Sequence, residues 1–263
     1  MSWRVVAERD VRDPFRSLSA LVLFGLFGLL FAAAGYLGSS GGGGVAPLLA
    51  SVASAIVPLA GYGICYGVVA GKRQDGSLRV FLSLPHSRRD VVLGSAIGRA
   101  VVLALAVTVG FLLALLVFVA AGGSGFDPSA FLGTWALACL FAVTVVGVGV
   151  GISAAARTTG RAVAGVAFAY VLFVAAWNWI PSLVRYVAAG FRFPTGPTPT
   201  WATAFTYCNP ERAYSVLTTA VVGGPSPPTT AAYTTPGFAL AVLVAWAVAP
   251  LALGYLAFER GDL

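Results

Sequence analysis

Charge is what this sequence has least of. Of its 263 residues 10% are Asp, Glu, Lys or Arg, against about 25% in an average soluble domain, while 59% are hydrophobic and the mean hydropathy is +0.90. That balance excludes an ordinary water-soluble domain and places the chain in a lipid bilayer. Metal and redox chemistry have little to work with: the only histidine is His86 and the only methionine is Met1, and the three cysteines, Cys65, Cys139 and Cys208, are scattered. No CxxC or Cys/His cluster offers a zinc site, a redox centre or a soft-metal relay. Cys208 is alone in an outer segment, which leaves no exterior pair for an intramolecular disulfide.

Catalytic motifs are also lacking. The nearest approach to the nucleotide-binding pattern GxxxxGK(S/T) is GVVAGKR at 67–73, which is one residue short and puts Arg73 where a hydroxyl should hold magnesium. The apolar runs carry no ionisable acid or base, so an intramembrane enzyme has no acid, base or metal ligand to use. Ion-coupled carriers commonly hold a carboxylate at depth, and none is expected here. Any work must come from a partner, and no cofactor is expected on this chain.

What the sequence does have is long uncharged stretches. No Asp, Glu, Lys or Arg occurs between Arg16 and Lys72, Arg99 and Asp127, Asp127 and Arg157, Arg161 and Arg185, or Arg212 and Glu259. A bilayer core needs about 20 apolar residues per helix, so each stretch holds one span and the first, divided by the Gly-rich break at 38–44, holds two. The pattern predicts an all-α polytopic membrane protein with six spans near 17–37, 45–70, 91–121, 129–156, 162–184 and 236–258. Continuous apolar runs such as VVLALAVTVGFLLALLVFVAA exclude a transmembrane barrel, whose strands alternate. The first span is read as retained rather than as a signal peptide, because Glu8, Asp10 and Asp13 are mixed with the arginines before it.

Six spans put both termini on one side, and the positive-inside rule makes that side cytoplasmic. Loops and ends there hold Arg4, Arg9, Arg12, Arg16, Lys72, Arg73, Arg79, Arg88, Arg89, Arg99, Arg157, Arg161 and Arg260, against Arg185, Arg192 and Arg212 opposite. Topology and contact with anionic lipid account for the net charge of +7, and no nucleic-acid partner is implied. Trp177 and Trp179 are placed as anchors in an outer aromatic belt. Glycines four apart, Gly67/Gly71 and Gly94/Gly98, and the row Gly147/Gly149/Gly151 are candidate seams of close helix approach.

The long polar stretch at 71–90 asks for its own explanation. Leu78, Phe81 and Leu82 fall at i, i+3 and i+4 and give one apolar helical face, which Pro85 ends. Ser87 and Asp90 then have capping-box spacing ahead of the third span. From these residues alone, a helix lying on the inner leaflet and a docking element for a cytoplasmic protein are equally good readings.

The stretch DGSLRVFLSLPHSRRDVVLGSAIGR resembles the cytoplasmic loop of type-2 (export) ABC transporter permeases. Members of that family show a G-(S/T)-L-x-x-L-L-x-x-P-x-(S/T)-R pattern, met here by Gly76, Ser77, Leu78, Phe81, Leu82, Pro85, Ser87 and Arg88. WRVVAERDVRDPFRS before the first span and CNPERAYSVL before the last are also similar to the family. Relatives carry glutamates ahead of the glycine, where this chain has Lys72, Gln74 and Asp75. The resemblance implies a permease subunit in the plasma membrane, working as a homodimer or pseudo-dimer with separate ATPase subunits that bind ATP and Mg. The loop would act as the coupling element between them, and residues 1–16 as an interfacial elbow helix. The expected layout is elbow 1–16, transmembrane domain 17–258 with coupling loop 71–90 and outer segment 185–235, and tail 259–263.

In the outer segment, FRFPTGPTPTWATAF and GGPSPPTTAAYTTP have too much Pro, Thr and Gly for packed helix. The intervening NPERAYSVLTTAVV reads as a helix beginning after Asn209, with Pro210 first and Glu211 favourably near the N-terminal dipole, and able to dip into the outer leaflet. Glu211 and Arg212 are the only charges near the outer mouth of the last span and are the candidate outer gate residues. The competing function from another class is a non-transporting membrane anchor or assembly subunit.

Overall fold

The computed structural model describes residues 7, 8, 10, 18–40, 44–76, 78, 87–193, 195–225 and 231–260, the side chains of 18–20 excepted. Among the described residues the chain is helical, with no strand. Six helices are long and apolar enough to cross a bilayer: Leu21–Ser40, Ala46–Gln74, Arg88–Ala120, Pro128–Ala155, Thr159–Ala176 and Pro236–Arg260. We label the helices α1 (Leu18–Ser40), α2 (Ala46–Cys65), α3 (Ala70–Gln74), α4 (Arg88–Ala120), α5 (Pro128–Ala155), α6 (Thr159–Tyr170), α7 (Trp179–Ala188), α8 (Thr200–Tyr207), α9 (Pro210–Val222) and α10 (Pro236–Arg260).

Local chemistry starts these helices where they start. Ser87 and Asp90 form a reciprocal capping box on α4, Asp127 caps α5 ahead of Pro128, Thr158 caps α6, and Asn209 caps α9 ahead of Pro210. Each satisfies backbone N–H groups that a helix cannot satisfy itself.

Helix α5 is the hub, packed on α2, α4, α9 and α10, while α1 lies along α4. Small residues make this possible, since in lipid close van der Waals approach replaces the hydrophobic drive. A Cβ on Gly147 would overlap the Ala247 carbonyl, one on Gly151 the Pro250 carbonyl, and one on Gly254 the Gly151 carbonyl. The backbones of α5 and α10 are therefore in contact. Gly149, on another face, would put a Cβ 2.7 Å from Cys65 Cβ on α2. The Thr144 hydroxyl, 3.2 Å from the Leu243 carbonyl, adds a polar tie between α5 and α10. Among the described residues a Cβ on Gly67 or Gly71 would meet nothing, so that pair forms no seam with them. Gly98 is one, because Asp10 Cβ and the Ala7 carbonyl close over it, at 2.8 and 3.0 Å from where its Cβ would be.

Two spans depart from single helices. The second breaks at 66–69, where the chain turns before α3. The fifth, expected as one helix over 162–184, is α6, a π-helical segment Val171–Ala176, a turn, and α7. Pro181 explains the interruption, because its ring clashes with the carbonyl four residues back. Outside the spans, Thr200–Tyr207 is helical although its Pro/Thr-rich surroundings read as irregular. Of the expected elbow only residues 7, 8 and 10 are described; they are helical, with Ala7 and Asp10 buried.

Candidate functional site

The arginine-rich end of the bundle is bound together by its basic side chains. Arg88, first residue of α4, donates from one Nη to the Phe258 carbonyl at 2.6 Å and the Glu259 carbonyl at 3.0 Å, closing the last turn of α10. Arg73 of α3 donates to the Ala156 carbonyl at 3.2 Å, just past α5. The fully buried Phe258 ring receives both guanidiniums, Arg73 at 4.9 Å and Arg88 at 5.4 Å from its centroid. The ring face serves where hydrogen-bond partners are lacking, since Nε and one Nη of Arg73 are buried without any. The Thr159 N–H donates to Gln74 Oε1 at 2.8 Å, and Lys72 pairs with the buried Asp10 at 3.2 Å. Helices α3, α4, α5, α6 and α10 and the N-terminal segment thus meet in one platform.

Both ends of the expected coupling loop are fixed to this platform. Gly76 has φ +75°, a left-handed conformation that β-carbon-bearing residues resist, and it turns the chain out of α3. Leu78 is buried, and Ser87 and Arg88 are held by the capping box and the α10 carbonyls. Ser77, Phe81, Leu82 and Pro85 lie outside the described residues.

A hydroxyl that sequence reading passed over secures the break in the second span. Ser153 of α5, fully buried, accepts from the Val69 and Ala70 N–H groups at 3.1 and 3.2 Å and donates to the Tyr66 carbonyl at 2.8 Å. The freed backbone groups of the turn are satisfied by one side chain, as helix breaks in lipid require. A serine near the end of an apolar helix is a weak signal, and only its partner identifies the role.

The segment expected to lie outside the membrane does not stay at one end of the bundle. Pro210 and Glu211 line a small hollow with Pro58 and Tyr62 of α2, Val148 of α5 and Phe173. Pro58 lies just before and Tyr62 just after the midpoint of the span Ala46–Gln74, so the start of α9 reaches about the middle of the bundle, with α8 leading in and α9 leading out. The expectation of no acid at depth is corrected: half-buried Glu211 stands there, carried in from outside the spans.

Asn209 holds the turn at its deepest point. Its Oδ1 accepts from the Glu211 and Arg212 N–H groups at 2.7 and 3.3 Å, while Nδ2 donates to the Phe173 carbonyl in the π-helical segment at 2.7 Å. Two indoles complete the cage, Trp177 donating to the Phe205 carbonyl at 3.0 Å and Trp246 to the Cys208 carbonyl at 2.9 Å. Trp177 also stacks on Phe205 at 4.7 Å. Trp177 is therefore a buried bracket rather than the interface anchor expected, because its N–H is needed by an inserted loop. Trp179, 73% exposed, has no such task.

Glu211 and Arg212 part company. Glu211 faces α2 and α5, whereas Arg212 is exposed to a cleft of about 510 Å³ beside α10, its guanidinium 5.0 Å from the Tyr207 ring centroid. A second cleft of about 340 Å³, lined by Ser51, Ser54 and Thr218, separates α9 from α2. A groove of about 500 Å³ between α2 and α6 carries Tyr62, Tyr66 and Tyr170. Among the described residues no three His, Cys, Asp or Glu side chains come together as a metal site.

Comparison with known proteins agrees with a chain of this build. The probable ABC transporter permease protein NosY of Stutzerimonas stutzeri is 29% identical over 114 residues, covering 40% of this chain and 41% of that protein. Its namesake from Pseudomonas aeruginosa is 30% identical over 114 residues, covering 40% and 42%. The chain thus spans about two fifths of the length of the curated relatives it matches. A family model described as ABC-2 family transporter protein matches residues 42–263. That match takes in every helix from α2 to α10, the platform and the inserted turn alike, and the chain belongs to the ABC-2 family of transporter proteins.

Proposed function

We propose that the chain is the permease subunit of an ATP-driven exporter in the plasma membrane, powered by a separate ATPase that docks on the loop between α3 and α4. The observation that carries this reading is the anchorage of that loop at both ends. A push on a loop that runs from α3 to Arg88 is delivered to α10, α5 and α6 at once, because Arg73, Arg88 and Phe258 join the first two and Gln74 the third. ATP and Mg belong to the partner subunit. The candidate coupling residues are Gly76, Ser77, Leu78, Phe81, Leu82, Pro85, Ser87 and Arg88.

The platform end faces the cytoplasm in this reading. Lys72, Arg73, Arg88, Arg89, Arg99, Arg157, Arg161 and Arg260 gather there, with Arg185, Arg192 and Arg212 on the far side. Residues 1–16 form the elbow along the membrane, and the burial of Ala7 and Asp10 over Gly98 supports its seat on α4. Two copies, or a copy and a second permease, enclose the path. The tyrosine-lined groove between α2 and α6 suits such a face, being open and mainly apolar with polar tips. Glu211 and Arg212 act at the outer half of the path. Family membership, rather than the absence of deep carboxylates, argues against ion coupling now that Glu211 lies inside the bundle.

The test is co-purification with the ATPase encoded beside this chain, comparing wild type with Phe81→Glu/Leu82→Glu. A stable complex with the wild type alone, at equal membrane insertion, supports docking through the loop. Equal recovery with both proteins counts against it, and no association with either favours the anchor reading.

A further inference from the structure

The Arg212 cleft has the composition of a ligand site rather than of a packing defect. Its walls bring together Tyr207, Arg212, Ser215, Thr219, Thr234 and Pro236. At about 510 Å³ it falls within the range of small-molecule pockets. Among the described residues the contacts of the Arg212 side chain are neutral, the Tyr207 ring and the Tyr207 hydroxyl at 3.4 Å, and no carboxylate pairs with it. Its neighbour in sequence, Glu211, is turned to α2.

The hydroxyls of this cleft point the same way. Ser215 and Thr219 follow Arg212 at i+3 and i+7 and so share its face of α9. Neither hydroxyl bonds to the chain among the described residues. Most other helical hydroxyls do: Thr206 closes on the Thr203 carbonyl at 2.7 Å, Thr218 on the Tyr214 carbonyl at 3.0 Å and Ser51 on the Pro47 carbonyl at 3.0 Å. A cation and two hydroxyls that the described chain does not engage, on one line about 10 Å long at 1.5 Å per residue, are set to receive anionic oxygen. Val216, Ala220 and Pro236 beside them offer apolar wall to a chain attached to such a head.

We propose that this cleft binds the anionic, phosphate-bearing head group of a membrane lipid, with Arg212 on the phosphate and Ser215 and Thr219 donating to its oxygens. The assignment concerns a bound ligand and holds whatever cargo passes through the complex. A lipid is favoured over free phosphate because the cleft joins donors to apolar wall and belongs to a helix inserted in the bundle.

Native mass spectrometry of the purified full chain, together with its ATPase where the two co-purify, tests the proposal with phosphatidylglycerol and phosphatidylcholine of equal chain length. Both lipids offer the phosphodiester, but the choline cation would lie beside Arg212 and offset the charge, so wild type should retain phosphatidylglycerol about tenfold better, the order of one charge interaction at a partly buried site. R212Q should abolish the preference, R212K should keep part of it, and S215A/T219V should weaken it while leaving the charge in place. R185Q should change nothing. Equal retention of the two lipids by wild type, or a preference that survives R212Q, overturns the site. Competition by millimolar inorganic phosphate without any preference between lipids overturns the lipid assignment in favour of a free anion.

Discussion

Ser153 and Val69 meet across the bundle at 3.1 Å, a side-chain hydroxyl of α5 accepting a backbone N–H that the break in the second span has released. The same oxygen serves Ala70, so one atom holds the turn that precedes α3. Ser153→Ala should cost about 1–3 kcal/mol, the penalty for stranded buried donors. The melting temperature of the purified protein reads this directly, and a value unchanged from wild type would show that the turn finds other partners.

Asn209 allows its two roles to be separated. Asn209→Asp keeps an oxygen for the Glu211 and Arg212 N–H groups but loses the donor to Phe173, whereas Asn209→Ala loses both. Stability should fall in the order wild type, Asp, Ala, with about 1 kcal/mol or more for the cap alone. If Asp and Ala melt together, the tie to the π-helical segment dominates and the cap contributes little.

The contact between α5 and α10 leaves no room for a side chain. Gly151→Val would drive Cβ into the Pro250 carbonyl, a backbone group that cannot swing aside, and should prevent recovery of a folded, monodisperse protein. Gly25→Ala is the matched control, since its Cβ would meet nothing and helix propensity favours alanine by up to about 1 kcal/mol. Elution profiles in detergent distinguish them, and a well-folded Gly151→Val would refute the close approach.

Asp127 predicts a pH dependence. The Ser129 hydroxyl at 2.6 Å and then the Ala130 N–H at 3.1 Å favour its carboxylate, which holds the acid below the ordinary range. A lowered folded value stabilises the protein fully above the ordinary carboxylate pKa of about 3.9, and that contribution is lost as pH falls through the folded value. Asp127→Asn caps the helix without titrating, so the melting difference between it and wild type should change only in the acid range. Parallel profiles down to the lowest accessible pH would remove the role.

Much of this architecture is legible in one dimension, and for a simple reason. A bilayer demands length and apolarity from each crossing helix, so charge-free runs between Arg16 and Glu259 mark the spans without knowledge of their neighbours. Caps are local as well. The S-x-x-D spacing of Ser87 and Asp90 and the pair Asn209–Pro210 mark their helix starts from nearby residues alone.

The depth of the inserted turn was not legible. Residues 199–225 carry Thr and Pro among apolar residues, and nothing local distinguishes a segment dipping into the membrane surface from one buried among other helices. Insertion depends on partners distant in sequence: Phe173, Trp177 and Trp246 supply the carbonyl and the indole N–H groups that let an irregular backbone enter the bundle. The same holds for Trp177, which reads as a belt residue until Phe205 is placed against it.

Sequence by itself determined that this chain has six membrane-crossing helices, where α4 and α9 begin, and that its loop 71–90 carries the pattern of a transporter family. Tertiary structure alone decided that α5 is the hub, that Arg73 and Arg88 converge on Phe258, and that Glu211 and Arg212 face different cavities. The division follows from range. Hydropathy and capping act over a few residues and survive in the sequence, whereas a shared hydroxyl, a glycine contact or a cation on a ring exists only once two distant segments have met.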